Sequence, residues 1–271
     1  MNWAVIRKTA SDSLLLLFAT MAGIFVFEIV FCRVVEQMPA ELGGGLLSQK
    51  WVKDIVRFLL GADLTELFTS TGVMTIGFSN SIVYALSFIF LLTTCSRIVA
   101  GEVDRGTSDL LLALPISRIA VYASASLVWI VACVPLSLMP ILGVYTGTHW
   151  FQLKEPVEYR LLWLPTMNLL FLFWAVGGIS MLFSALYTRR GPAVGVVIAV
   201  LIFSLMINFL AQNWSDINKI AFLSLLNYYK PLPLVKNQAL RWDHLAVLSG
   251  VLATTWAAGL IYFSRRDIPA A

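Results

Sequence analysis

Apolar residues are grouped along this chain in long blocks that are separated by shorter polar segments. A block of about 20 apolar residues has the length that a helix needs to cross roughly 30 Å of hydrocarbon, whereas outer-membrane strands show short alternating segments. We identify blocks at 13–33, 75–96, 119–145, 161–187, 193–211 and 244–263. The pattern predicts an all-α integral membrane protein with six transmembrane helices, in a single domain that spans residues 1–271.

Composition supports a membrane protein, and the positions of Lys and Arg predict its orientation in the membrane. Hydrophobic residues make up 59% of the chain and charged residues only 13%, whereas soluble domains contain about a quarter charged residues. The pairs Arg7-Lys8, Arg189-Arg190 and Arg265-Arg266 adjoin span ends that a six-span topology places on one side. Because Lys and Arg next to spans favour the cytoplasmic side, we expect both termini to be cytoplasmic in an inner (plasma) membrane. The first block is longer than the apolar core of a typical signal peptide, so we expect an uncleaved span.

Catalytic and cofactor motifs do not account for the function. The sequence contains no H-E-x-x-H, no G-x-S-x-G and no P-loop, so the chain is not expected to bind ATP by itself or to be an enzyme. The three cysteines lie at different depths of three predicted spans, and the two histidines stand beside no cluster of ligands. We therefore expect no catalytic residue, metal or cofactor in this chain. The net charge of +4 comes from basic residues scattered at span ends, which does not indicate nucleic-acid binding.

Glu28 is the one ionisable residue inside an otherwise apolar block. Acids within membrane spans are costly and are often functional, which makes Glu28 a candidate residue of a transport pathway or proton relay. The alternative is structural, because Glu28 lies near the end of its block and close to Arg33, with which it would pair at the interface. The sequence leaves both interpretations open.

A charged passage, "GEVDRGTSDLLLALPISR" at 101–118, stands between the second and third blocks. Gly106 gives a turn, the hydroxyls that follow it can cap a helix, and Asp109 complements the positive end of that helix. The run 110–114 gives the helix an apolar surface, and Pro115 ends it or bends it into the third span. Exposed leucines need cover, either from lipid or from a soluble partner.

The same passage resembles the motif E-x-x-x-G-T-x-x-x-L-L-x-x-P-(I/V)-S-R of type-2 ATP-binding-cassette permeases, a family that includes the nitrous-oxide-reductase maturation permeases. The ending "YFSRRDIP" at 262–269 is similar to the aromatic, Arg-pair and Asp finish of that family. In this family the passage is a coupling helix that sits in a groove of a separate ATPase. The resemblance implies a coupling role for Glu102, Gly106, Thr107, Asp109, Leu110, Leu111, Leu112, Pro115 and Arg118.

The resemblance also implies the partners. A permease of this type works with a second permease copy, identical or related, and with two copies of an ATPase subunit that bind ATP and Mg; an extracytoplasmic accessory protein and membrane lipid complete the expected contacts. The expected function is ATP-driven transport by alternating access, in the direction of export. The alternatives are a membrane-embedded enzyme or assembly factor that acts on a hydrophobic substrate, and an ion-coupled secondary transporter.

Two elements are expected at the outer face. Residues 47–59 form an amphipathic pattern with Trp51, Ile55, Phe58 and Leu59 on its apolar half, which predicts an interfacial helix that either caps the bundle or acts as a lateral gate. The segment 216–226 is too short to cross. The family resemblance implies re-entrant helices there, with an aromatic belt of Trp214, Tyr228, Tyr229 and Trp242.

Overall fold

The structure, a computed structural model, describes residues 2–37, 69–98, 100, 117–153, 155–211, 214, 216 and 219–265. Two predicted elements lie outside the described residues. These are the coupling helix within 101–116 and the outer amphipathic helix at 47–59. The described part of the fold consists of the spans and the segment 219–237.

The described residues form α-helices and two short 3-10 helices, with no β-strand among them. The α-helices are α1 (Trp3–Glu36), α2 (Ser70–Phe78), α3 (Ser81–Ile98), α4 (Arg118–Trp150), α5 (Tyr159–Leu186), α6 (Arg190–Ala211), α7 (Pro231–Asn237) and α8 (Trp242–Arg265). The 3-10 helices are Ala221–Leu223 and Leu225–Tyr228.

Six helical stretches among the described residues are long and apolar enough to cross a membrane: α1, α2 together with α3, α4, α5, α6 and α8. All six predicted blocks are confirmed, and the fold is that of an all-α, multi-pass membrane protein. Most helices extend beyond their apolar blocks because polar caps lie outside them. The Asn2 side chain accepts hydrogen bonds from the backbone N–H groups of Ala4 and Val5, and the Ser117 hydroxyl accepts one from Ala120 N.

The second span is broken near the start of its predicted apolar block. Helix α2 ends at Phe78 and α3 begins at Ser81. At the break, Asn80 N donates to the Gly77 carbonyl at 3.1 Å, and the Asn80 side chain accepts from Ile82 N at 3.0 Å. Asn80 thus acts as the N-terminal cap of α3. The break was not predicted, although the polar residues Ser79, Asn80 and Ser81 interrupt the apolar block there.

Helix α5 occupies the centre of the bundle. It contacts α2, α3, α4, α6, α7 and α8, and it is the most buried of the six candidate spans. The peripheral helices α1, α6 and α8 turn large apolar side chains outward, such as Leu15, Phe18 and Phe203. These apolar faces are compatible with contact with lipid hydrocarbon. The backbone groups of a helix are bonded within the helix, so they need no partner from the lipid.

Helix α1 packs closely against α4 through two glycines. The buried face of α1 consists of Ser13, Thr20, Ile24, Glu28 and Cys32. A Cβ atom added at Gly143 would overlap Glu28, and one added at Gly147 would lie 2.6 Å from the Cys32 sulfur. Gly143 and Gly147 form a small-xxx-small motif, which lets two membrane helices approach each other closely.

Contacts between helix ends define two ends of the bundle. At the N-terminal end, Asn2 N donates to the Ser124 hydroxyl at 2.8 Å, and the rings of Tyr122 and Phe263 lie 5.9 Å apart. The opposite end, called the distal end below, holds the connection between α4 and α5, where Glu158 N donates to the Thr71 hydroxyl at 2.9 Å. The first and the last span, α1 and α8, therefore have the N-terminal and the C-terminal end of the described chain on the same side of the bundle.

We expect Gly147→Ala to lower the free energy of unfolding by about 1–3 kcal/mol, because the added methyl group overlaps Cys32. Thermal unfolding in detergent measures the effect. Gly195→Ala is the matched control, since a Cβ at Gly195 meets no atom within 4 Å. That control should be neutral or stabilising by up to about 1 kcal/mol. Equal stability of the two variants would show that the α1–α4 contact is looser than described.

Candidate functional site

Glu28 is completely buried among protein atoms, with an exposed fraction of 0%. Both of its carboxyl oxygens lack a hydrogen-bond partner among the described residues. Arg33, the partner that the sequence offered, contacts Glu36 instead. The structural interpretation of Glu28 as a paired interfacial acid is therefore wrong. An unpartnered buried carboxyl group is costly and calls for a specific explanation.

The glycines around Glu28 place its carboxyl group beside the break in the second span. A Cβ at Gly77 would overlap both carboxyl oxygens, and a Cβ at Gly143 would overlap the stem of the side chain. Gly77 lies in the last turn of α2, directly before Phe78. Glu28 thus reaches a turn of helix whose last carbonyl groups are not bonded within α2.

Tyr229 supplies the hydrogen bond for the carbonyl group at this break. Its hydroxyl donates to the Phe78 carbonyl oxygen at 3.2 Å, and the contact is buried. The ring of Tyr229 meets the Tyr84 ring edge to face, at 6.0 Å between centroids. We refer to Glu28, Gly77, Phe78, Gly143 and Tyr229 as the Glu28 cluster. It joins α1, the broken span, α4 and the segment after α6.

Electrostatics connects the tyrosine to the acid. Burial raises the pKa of the Tyr229 hydroxyl well above its usual value, and the neighbouring Tyr84 and Glu28 raise it further. Tyr229 therefore keeps its proton and remains a hydrogen-bond donor. The two groups also lie in the same region, because Tyr229 bonds to the carbonyl of Phe78, and the Cβ site of the preceding residue, Gly77, meets the Glu28 carboxyl oxygens.

The segment 219–237 is held against the bundle by polar contacts with three spans. Asn168 on α5 donates through Nδ2 to the Tyr228 carbonyl at 3.2 Å, and His244 Nδ1 lies 3.1 Å from the same oxygen. Ser224 donates to the Ser204 carbonyl at 2.7 Å. Short helices lie in this segment, as expected, and these contacts fix them to α5, α6 and α8; their re-entrant insertion stays a prediction.

The predicted aromatic belt is only partly formed. Trp214 and Trp242 are exposed by 59% and 75%, as an interfacial anchor requires. Tyr229, however, is 3% exposed because it fills the gap beside the broken span. The prediction of Tyr229 as a belt residue was wrong, since its neighbours are set by the fold and not by sequence position.

A second set of polar contacts lies at the N-terminal end, where the chain enters the charged passage. Arg97 Nη1 donates to the Asp12 carbonyl of α1 at 2.9 Å. Ser96 accepts from Arg190 Nε of α6 at 3.0 Å. Ala100 N donates to the Ser184 hydroxyl of α5 at 3.3 Å. Residues 96, 97 and 100, called the root of the charged passage below, are thus tied to three other spans.

The predicted coupling residues are only partly within the described chain. Arg118 is the first residue of α4 and follows its cap, Ser117. The other eight coupling residues lie outside the described residues, as do the four gate-helix residues. The structure therefore places the root and the exit of the passage, and leaves its coupling role a prediction.

The cysteines and histidines are the remaining candidate metal ligands. Cys32, Cys95 and Cys133 are free and buried, which agrees with a packing role. Within the described ranges, no three His, Cys, Asp or Glu side chains lie together as a metal site would require. His149 is exposed, and its Nδ1 atom lies 2.8 Å from the Tyr145 carbonyl of its own helix.

Sequence reasoning missed several residues of the Glu28 cluster. The spacing of Gly143 and Gly147 was a readable signal of close helix packing. An Asn at position 80 inside an apolar block was a readable signal of a helix cap. The role of Tyr229 had no such signal, because its partner is a backbone carbonyl 151 positions away.

Comparison with known proteins does not identify a relative. No protein-family model matches the chain, and no curated protein matches it either.

We expect Tyr229→Phe to lower the free energy of unfolding by about 1–3 kcal/mol, because the Phe78 carbonyl would be left buried without a partner. Chemical or thermal unfolding in detergent measures the change. Tyr228→Phe is the matched control, since the Tyr228 hydroxyl bonds to the Phe222 carbonyl at an exposed position. A larger loss in the control than in Tyr229→Phe would contradict the role of this bond.

Proposed function

We propose that this chain is the permease subunit of an ATP-binding-cassette transporter, and that it exports its substrate by alternating access driven by a separate ATPase. The sequence motif at 102–118 supports this proposal through its resemblance to type-2 permeases. The six-span, all-α architecture agrees with it. The chain itself is non-catalytic in this proposal, and ATP and Mg are bound by two ATPase subunits.

The observation that carries the proposal is the attachment of the root. A segment that receives force from an ATPase must transmit it to the transmembrane helices. Residues 96, 97 and 100 bond to α6, α1 and α5, respectively, and α4 leaves the passage directly after the Ser117 cap. A displacement of the predicted 107–114 helix would therefore act on α3, which carries the root, and on α1, α4, α5 and α6.

The proposed transporter contains two permease copies, either identical or related, which rock against each other as the ATPase dimer closes. Both termini and the charged passage face the cytoplasm of an inner membrane. The outer helix at 47–59 then lies on the opposite face, where it would cap the bundle or gate the release of an amphiphile, with an accessory protein as a further partner there.

A second candidate is an ion-coupled secondary transporter, because Glu28 is buried without a partner and lies at a broken span, a combination found at the coupling sites of such transporters. The two candidates differ in one requirement. Only the first needs an ATPase bound at the charged passage.

We expect the double substitution Leu111→Asp and Leu112→Asp to abolish association with the ATPase while the spans remain inserted, because charge replaces the apolar surface that needs a partner. Co-purification of the ATPase with the permease from membranes measures this. Retention of the ATPase at the parent level would reject the proposed coupling role, and absence of an ATPase from the parent preparation would favour the second candidate.

A substitution at the root contacts tests coupling separately from binding of the ATPase. Ser184→Ala removes the acceptor of Ala100 N, so it should keep the ATPase bound but lower permease-dependent stimulation of ATP hydrolysis by about fivefold, the effect of one hydrogen bond. Ser264→Ala is the control, because among the described residues that hydroxyl bonds to the Ile261 carbonyl of its own helix.

The orientation is tested by labelling with an impermeant thiol reagent after the three native cysteines are replaced. Cysteines introduced at Gly44 and Lys154 should react from outside the cell. Cysteines at Ser108 and Gly191 should react only after the membrane is opened, and Gly191 is a suitable position because no atom lies within 4 Å of its Cβ site. Labelling at Gly191 from outside would reverse the orientation.

A further inference from the structure

The Glu28 cluster has a chemistry that the ATPase-coupling proposal does not use. A carboxylate inside a protein and inside a membrane needs a cation or hydrogen-bond donors to offset its desolvation. Neither oxygen of Glu28 has a donor among the described residues, and none of the ion pairs in the described chain includes it. The neutral acid is the form that this environment tolerates.

The groups that face Glu28 are few. Helix α1 contributes Cys32, one turn further on; α2 and α4 contribute the backbone at Gly77 and Gly143. The segment after α6 contributes Tyr229, with Tyr84 of α3 behind it. No described Lys, Arg or His is paired with Glu28. Among the side chains named here, the Tyr229 hydroxyl is the strongest hydrogen-bond donor.

We propose that Glu28 is a proton-binding site whose occupancy sets the hydrogen-bond partner of the Tyr229 hydroxyl and thereby the state of the break between α2 and α3. With the proton bound, Tyr229 donates to the Phe78 carbonyl and seals the break between α2 and α3. When Glu28 releases its proton to water, the resulting carboxylate attracts the Tyr229 hydroxyl, which leaves Phe78 and donates to Glu28. Only the hydrogen bond is transferred between acceptors; Tyr229 keeps its own proton.

Two features make the break the element that responds. The Phe78 carbonyl lies outside the bonds of α2, so the loss of Tyr229 does not unwind a helix. A bond to a charged acceptor is also roughly twice as strong as one to a neutral carbonyl. The switch therefore has two competing acceptors for one donor, and the charge of Glu28 decides between them. This inference concerns the chain alone and does not depend on the proposed ATPase.

The experiment uses the full chain in lipid nanodiscs and dicyclohexylcarbodiimide, a membrane-soluble reagent that modifies protonated carboxyl groups. Mass spectrometry of the Glu28 peptide should show modification that falls about tenfold per pH unit above its midpoint, as one titrating group requires. Glu36, which contacts Arg33 two turns away, is the internal control and should not be modified. Infrared difference spectra between the parent and Glu28→Gln should contain the carbonyl band of one protonated carboxyl group.

Absence of both the modification and the infrared band would overturn the proposal, since Glu28 would then be ionised. Tyr229→Phe removes the alternative donor for the carboxylate, so it should raise the midpoint by about one pH unit. Tyr228→Phe should leave the midpoint unchanged. Equal shifts in the two variants, or no shift in either, would overturn the link to Tyr229.

A spectroscopic readout covers the case in which Tyr229→Phe does not fold. 3-Fluorotyrosine placed at position 229 should show a resonance that moves with pH in the parent and stays fixed in Glu28→Gln, which keeps the shape of the side chain without its charge. A resonance with the same pH dependence in both proteins would separate Tyr229 from Glu28 and reject the switch.

Discussion

Within hydrocarbon, each backbone N–H and C=O group must be bonded inside the protein, because no water can replace a missing partner. This constraint makes the break at Ser79-Asn80 the point on which the distal half of the bundle depends. Asn80 caps α3 through its own side chain, but the Phe78 carbonyl needs a donor from elsewhere. Tyr229 provides it, and so a segment that is too short to span the membrane becomes part of the core.

The position of Tyr229 requires the rest of that segment to be fixed as well. The Tyr228 carbonyl, one residue earlier, is held by Asn168 and contacted by His244, while Ser224 is tied to α6. Three spans, α5, α6 and α8, therefore fix the segment whose Tyr229 bonds to the break in the second span. Close packing of α1 on Gly143 and Gly147 brings Glu28 into the same region, which explains how an acid comes to lie next to a helix break.

Helix α3 joins the two sites of interest. Its first turn adjoins the Glu28 cluster, and its last residues form the root of the charged passage. Its 18 residues correspond to about 27 Å at 1.5 Å per residue, so the two sites lie at opposite ends of one rigid rod. Under the proposed function, a force that enters at the root of the charged passage is transmitted along α3 to the break. The same helix would transmit a change at the break to the cytoplasmic end.

The sequence by itself determined the six spans, their approximate bounds and the all-α class, because burial in a membrane leaves a hydropathy pattern that is local along the chain. It also singled out Glu28 by its charge, and the passage 101–118 by its polarity and its resemblance to a family. The tertiary structure decided which groups Glu28 meets, that Arg33 contacts Glu36 instead, and that Tyr229 is buried. Those facts depend on contacts between residues far apart in sequence, such as Tyr229 and Phe78, and on glycines whose meaning is the space they leave for a neighbouring helix. Periodicity and composition report the environment of a residue, but they do not specify its partner.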